Sequence, residues 1–144
     1  MNDTVHLRRY APGDRIPLLQ IAPISRATLA LFAGASNDHN PIHIDLDVAR
    51  AAGMDDVFVQ GMLPMAYLGR VLTNAFGPRS LREFGVRFVA VTHVRDRLEC
   101  TAEVLSAADH VAGQRLDLQL TVINPRGETV LLGDAVVELE QENI

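Results

Sequence analysis

Between residues 32 and 43 the chain reads Phe-Ala-Gly-Ala-Ser-Asn-Asp-His-Asn-Pro-Ile-His, and the side chains able to move protons gather here. Asp38 and His43, a carboxylate and an imidazole, stand five residues apart in a stretch crowded with Gly, Ser, Asn and Pro. Such a stretch reads as a loop, and the residue before a proline is steered away from helical angles. Asn40-Pro41 therefore fixes the chain direction between the two groups, so that both can converge on one point instead of lying along one helix face. A water held between them could lose a proton to one group while the other gives a proton to a substrate. A plainer reading stands beside this one, with Asp38 as a helix cap and His43 as a satisfied, half-buried histidine. Metal binding is disfavoured: His39 and His43 have i, i+4 spacing, but Pro41 lies between them and no third ligand is apparent.

The rest of the composition narrows the chemistry. The chain has 144 residues, 48% of them hydrophobic and 22% charged, with a formal charge of −5. This suits one domain spanning residues 1–144 with one real core. All 13 basic residues are arginine. Without lysine there is no Schiff base and no P-loop phosphate clamp. An acidic, lysine-free chain is also ill suited to general nucleic-acid binding, although a few arginines could hold the phosphates of a small ligand. Cys100 is the one cysteine, so neither an intrachain disulfide nor a cysteine-based zinc site can form. Its alternating surroundings, residues 97–103, make it a buried, inert strand thiol. Residues 1–6 lack a basic-then-apolar signal pattern, and no run approaches transmembrane length. The expectation is a soluble cytoplasmic protein with neither nucleic acid nor membrane as partner.

The elements that must position the pair fall into two halves. Up to about residue 77 the chain is punctuated by Ala and Gly and reads mostly as helix and loop. Residues 15–21 could open as a strand, weakened or confined to an edge by Pro17. Ser25 looks like the N-cap of a helix over 26–35, and a short helix follows over 45–52, ending at Gly53. The strongest helical candidate is 60–76, where Pro64 fits a first turn and Gly77-Pro78 stops the run. It is apolar nearly all round and should be buried on most sides. The second half alternates, giving strands near 84–92, 97–107, 111–123 and 129–140. Asp109 and Gly113 mark one connection and Asn124-Pro125-Arg126-Gly127 another, so these strands form antiparallel hairpins. The pattern predicts an α+β hotdog arrangement, a long antiparallel sheet wrapped around a buried central helix. Its open edges make a homodimer the natural expectation.

Ser36-Asn37-Asp38-His39-Asn40-Pro41-Ile42-His43 resembles the signature of the MaoC-like, (R)-specific enoyl-CoA hydratase family, usually read as S/T-G-D-x-N-P-x-H. The match continues through Asp45, Ala49 and Gly53. Val57-Phe58-Val59-Gln60-Gly61-Met62-Leu63 resembles the family's second block, in which a glycine opens the central helix, and Gly85-Val86-Arg87-Phe88 resembles the strand after it. The resemblance spans roughly residues 12–140 and favours the chemical reading of Asp38 and His43 over the plain one.

It implies a hydro-lyase of fatty-acid metabolism. Asp38 and His43 would hold a water that adds to the β-carbon of a trans-2-enoyl thioester, and the same pair would supply a proton to the α-carbon. Dehydration of a 3-hydroxyacyl thioester is the reverse. The backbone N–H of Gly61, at a helix N-terminus, would polarise the thioester carbonyl. Two positions depart from the family pattern. Asn37 stands where Gly is usual, and Asn is the least costly replacement if the backbone there has positive φ. Gln60 stands where His is frequent, so a titrating side chain is lost and only a hydrogen-bonding role could persist. Asn40 is a candidate for orienting Asp38 or His43, with a turn role as the alternative. Met62, Met65, Tyr67 and Leu68 could line an acyl tunnel or simply pack in the core. Arg79, Arg82 and Arg87 could meet the phosphates of coenzyme A or a carrier, or be ordinary surface arginines. No cofactor or metal is implied, because the thioester carrier, coenzyme A or acyl carrier protein, arrives with the substrate. Two other readings compete: a hotdog acyl-CoA thioesterase, and one subunit of a heteromeric acyl-CoA hydratase. The sequence leaves open the acyl group, the carrier and the physiological direction.

Overall fold

A computed structural model describes residues 8–140 of the chain; the reading of residues 1–6 lies outside them. Alternation of apolar and polar residues builds the scaffold. In β4 (Gly113–Ile123), Leu116, Leu118, Leu120 and Val122 are buried while Arg115, Asp117 and Gln119 between them face solvent. β3 (Glu99–His110) and β5 (Thr129–Glu140) flank it, both antiparallel. The register sets Ala102 opposite Leu120 and Leu118 opposite Ala135, so one face carries a continuous apolar row. β1 (Leu19–Gln20) adds to β3, and β2 (Leu81–Phe88) adds to β5, giving the order β1-β3-β4-β5-β2. Gly133 sits where β4, β5 and β2 crowd together. A Cβ there would lie 2.6 Å from the Gly85 carbonyl oxygen, so only glycine fits.

The helices are α1 (Arg26–Ser36), α2 (Leu46–Ala51) and α3 (Met62–Phe76). Ser25 caps α1 by accepting from the Thr28 N–H, and Asp45 caps α2 by accepting from Asp47 and Val48. α3 lies across the apolar face of the sheet, touching β2, β3, β4 and β5. Leu63, Leu68, Val71 and Leu72 are buried there, and Cys100 is fully buried among them, its thiol pushed up to about 12 by burial. α3 is less enclosed than its apolar sequence suggests, with Ala66, Arg70 and Asn74 exposed and Met62 52% exposed.

Three boundaries differ from expectation. The strand placed at 84–92 starts earlier and ends at Phe88, because the Val89 and Ala90 N–H groups both turn to the single carbonyl of Val130. The opening strand at 15–21 shrinks to Leu19–Gln20 plus an isolated bridge between Arg15 and Glu103, with Pro17 unable to donate between them. β3 runs on to His110, leaving a two-residue turn at Val111-Ala112. Among the described residues no helix is long and apolar enough to cross a membrane.

Candidate active site

The loop between α1 and α2 is built by its own polar side chains. α1 ends at Asn37, whose backbone is left-handed with φ 60° and ψ 19°. A non-glycine residue adopts this conformation at a cost, least for Asn and Asp, which explains how Asn can stand at this position. Ser36 donates its hydroxyl hydrogen to the Phe32 carbonyl at 2.6 Å and accepts from the Asp38 N–H at 3.2 Å. The Asp38 carboxylate is thereby turned back over the loop, where Oδ1 accepts from the Asn40 N–H at 3.3 Å. Asn40 uses its side-chain oxygen to accept from Ile42 N–H at 3.2 Å, capping a single 3-10 turn over Pro41–His43. The Asn40 side chain is thus committed to the turn, and its backbone N–H is what meets Asp38.

That turn delivers His43 inward. Its side chain is 10% exposed and that of Asp38 is 39% exposed, with Nε2 and Oδ2 separated by 3.9 Å. The other ring nitrogen, Nδ1, lies 2.7 Å from the Phe58 carbonyl oxygen. A carbonyl can only accept, so Nδ1 carries the hydrogen and Nε2 of the neutral ring is an acceptor. The Phe58 ring packs edge-on against the imidazole at 4.9 Å and 80°. Two acceptors therefore face each other across 3.9 Å, beyond direct hydrogen-bond reach. A water donating one hydrogen to each would satisfy both and present its lone pairs outward. Among the described residues no three of His, Cys, Asp and Glu come together to hold a metal ion.

Gly61 opens α3 with φ −56° and ψ −35°, and no side chain caps the helix. These angles suit any residue, so glycine here serves space rather than conformation. A Cβ would lie 3.3 Å from the Phe88 ring. The N–H groups of the first turn stand at the positive end of a 15-residue helix.

The remaining predicted residues are not all brought to this place. Gln60 is fully buried and donates Nε2–H to the Leu29 carbonyl at 2.9 Å, tying α1 to the start of α3. Met62 stands exposed on the first turn of α3. Arg87 is exposed on β2 directly before Phe88, and successive strand residues point to opposite faces. Since Phe88 packs on Gly61, Arg87 points away from α3. Arg82 is engaged by Glu138 and Glu140 instead of a free phosphate site. A cleft of about 260 Å³ lies between residues 19–24 and α3, lined by Ile24, Thr28, Tyr67 and Arg70; of the residues considered for an acyl tunnel it includes Tyr67, and it contains neither Asp38, His43 nor Gly61. Sequence reasoning missed Phe58 and Phe88. Phe58 acts through its carbonyl, which no side-chain type announces, and Phe88 was visible only as part of the Val-Arg-Phe block.

A family model described as a MaoC like domain matches residues 10–123. An (R)-specific enoyl-CoA hydratase from Rhodospirillum rubrum is 28% identical over 116 residues, covering 79% of this chain and 78% of that protein. Among solved structures, an R-hydratase from Pseudomonas aeruginosa superposes with a TM-score of 0.82 at 25% identity, covering 92% of this chain and 84% of that one. The ChsH1-ChsH2 complex of Mycobacterium tuberculosis shares the fold with a TM-score of 0.78 at 20% identity, covering 92% of this chain and 100% of that one. The sheet packed on α3 is the hotdog fold of these hydratases.

Proposed function

Because the chain belongs to the MaoC-like dehydratase family, we propose that it is an (R)-specific hydro-lyase that reversibly adds water to a trans-2-enoyl thioester. The observation that carries this reading is the facing pair of acceptors, Asp38 Oδ2 and His43 Nε2, 3.9 Å apart with the imidazole tautomer fixed from behind. A water bridging them aims its oxygen at the β-carbon. As that C–O bond forms, the π electrons move to the thioester oxygen and one water proton passes to the pair. The pair then returns one proton to the α-carbon, which restores the carbonyl and the resting site. Negative charge peaks on the thioester oxygen between these steps. On this reading the Gly61 N–H at the start of α3 donates to that oxygen, and losing such a donor typically costs about 3 kcal/mol. Glycine leaves the thioester room beside the Phe88 ring.

The substrate's own carrier, coenzyme A or acyl carrier protein, is the only cofactor-like group this chemistry needs. β2 has one edge unpaired among the described residues, with Phe88, Val89 and Val91 exposed at its end. That edge suits a second copy of the chain, and a homodimer is part of the proposal.

Absorbance at the enoyl-thioester band, followed with a panel of trans-2-enoyl-CoAs, tests the reading. Wild type should bleach the band without releasing free thiol, and Asp38→Asn and His43→Gln should lose the activity. Release of free thiol in step with loss of the band would make the protein a thioesterase. A folded protein inert to every chain length and to carrier-protein thioesters would sink the proposal.

A further inference from the structure

The hydrogen bond that orients His43 can be followed two steps away from the site. Phe58, whose carbonyl accepts from Nδ1, stands opposite His93 in an isolated antiparallel bridge. The Val59 N–H donates to the Thr92 carbonyl at 3.0 Å, which makes Phe58 and His93 a non-hydrogen-bonded pair. In such a pair the backbone groups of both residues point away from the partner strand. The bridge therefore leaves the Phe58 carbonyl unused and aims it outward, where the His43 ring meets it.

The segment supplying this bridge is a tight turn over residues 93–96. The Asp96 N–H donates to the His93 carbonyl at 3.1 Å, and Asp96 Oδ2 accepts from the His93 N–H at 2.9 Å. Arg95 within it is left-handed, with φ 73°. Only Asn37 and Arg95 have positive φ among the described non-glycine residues; Asn37 directly precedes Asp38, and Arg95 lies in the turn after His93, the residue bridged to Phe58. The Arg95 N–H donates to the Ile24 carbonyl at 2.7 Å, and the Ile24 N–H donates to the Asp96 carbonyl at 3.1 Å. Ile24 directly precedes the cap of α1, the helix whose far end carries Asp38. One turn thus braces the root of α1 and the strand that holds His43.

What holds the turn is a buried carboxylate. The Asp96 side chain is 6% exposed, and its two oxygens accept from Arg126 Nη1 at 3.0 Å and Nη2 at 3.2 Å. Arg126 belongs to the β4–β5 turn, where Asn124 Oδ1 accepts from the Arg126 and Glu128 N–H groups and Glu128 accepts from Arg126 Nε. A guanidinium fork fixes direction as well as charge, and a buried carboxylate stripped of it would pull the turn toward water.

We propose that Asp96 and Arg126 are positioning residues for His43, setting through the 93–96 turn the direction of the Phe58 carbonyl that holds the imidazole. The effect on turnover rests on the proposed hydratase reading; the effect on the ring does not. Arg126→Gln removes the fork from the half-exposed partner, Arg126→Lys keeps the charge, and Asp96→Asn keeps the shape. The first measurement is the NMR signal of the His43 imidazole N–H in the intact protein, and the second is kcat against KM for an enoyl-CoA. Arg126→Gln should move the His43 signal and lower kcat about tenfold to a hundredfold with KM changed less than about twofold. Arg126→Lys should recover part of both. An unmoved His43 signal in a folded Arg126→Gln protein overturns the proposal, whatever happens to the melting midpoint. If Asp96→Asn does not fold, the two Arg126 variants decide. A moved signal in a protein that never hydrates enoyl-CoA supports the positioning and removes the hydratase reading instead.

Discussion

The β3–β4–β5 meander and the loop-built segment from Ser36 to Gly61 are held by different means. The meander is paired almost end to end, from Glu99 opposite Ile123 to Gln114 opposite Leu139. Its inner row, Leu116, Leu118, Leu120 and Val122, is at most 1% exposed. Burial of area holds it, and area has no direction. The site segment has one short helix, one 3-10 turn and a left-handed residue at Asn37, and is fixed by single polar contacts from Ser36, Asn40, Asp45 and Phe58. Each of those bonds has a direction and a specific partner. The meander should therefore carry stability that many apolar sequences could supply, while the loop carries geometry that few could.

The sharpest way to break this comparison is to cross the two regions. His43→Gln should cut turnover by a factor between about 10² and 10⁴. Its unfolding free energy should fall by less than about 1.5 kcal/mol, the worth of a typical hydrogen bond. Leu120→Ala should cost about 2–5 kcal/mol of unfolding free energy. Its turnover, normalised to the folded fraction, should stay near wild type. Urea titration beside initial rates reads both. If Leu120→Ala abolished turnover per folded molecule, scaffold and site would not be separable.

A smaller effect sharpens the loop side. Asn37 pays for its left-handed backbone in conformational energy. Asn37→Gly should be neutral or slightly stabilising, whereas Asn37→Val should cost about 1–2 kcal/mol. Asn37→Val should also misplace Asp38 and depress turnover more than stability. Equal losses from Gly and Val would show that the Asn side chain, not the backbone angle, matters.

How much of this was legible beforehand follows the same division. Alternation placed β3, β4 and β5, because a half-buried strand writes its register into every second residue. The signature around Asp38 and His43 pointed to the loop, and Asn37 was readable as a left-handed residue because few types tolerate that angle. The ends of β1 and β2 were not legible, since they depend on which carbonyl a distant N–H finds. The support of His43 was equally hidden. It runs through the Phe58 carbonyl and through an Asp96–Arg126 pair 30 residues apart in sequence, and backbone groups leave no mark on residue type. Arg126 lay in a turn recognised only for its Asn-Pro-Arg-Gly chemistry. The orientation of Arg87 was not legible either, because a block of identities gives no strand phase, and its phase turns it away from α3.

The smallest predicted effect tests whether polar bonds on the meander resemble those in the site. Glu138 on β5 accepts from Arg82 Nε at 2.9 Å and Arg115 Nη1 at 3.0 Å, on the face of the sheet opposite α3. Hydrogen bonds from Arg82 and then Arg115 hold its carboxyl below the usual glutamate value of 4.5. A carboxyl lowered in the folded state contributes stability above its unfolded value, and that contribution is lost as pH falls through the lowered one. The melting midpoint of wild type should accordingly fall on acidification below about pH 4.5, and Glu138→Gln should flatten part of that fall. At neutral pH the variant should melt only slightly lower, because solvent screens an exposed pair. Its turnover should be unchanged. The arginine bonds to Glu138 are no longer than those to Asp96, yet water can replace the first set and not the second. A loss of turnover in Glu138→Gln would mean that burial is not what separates them.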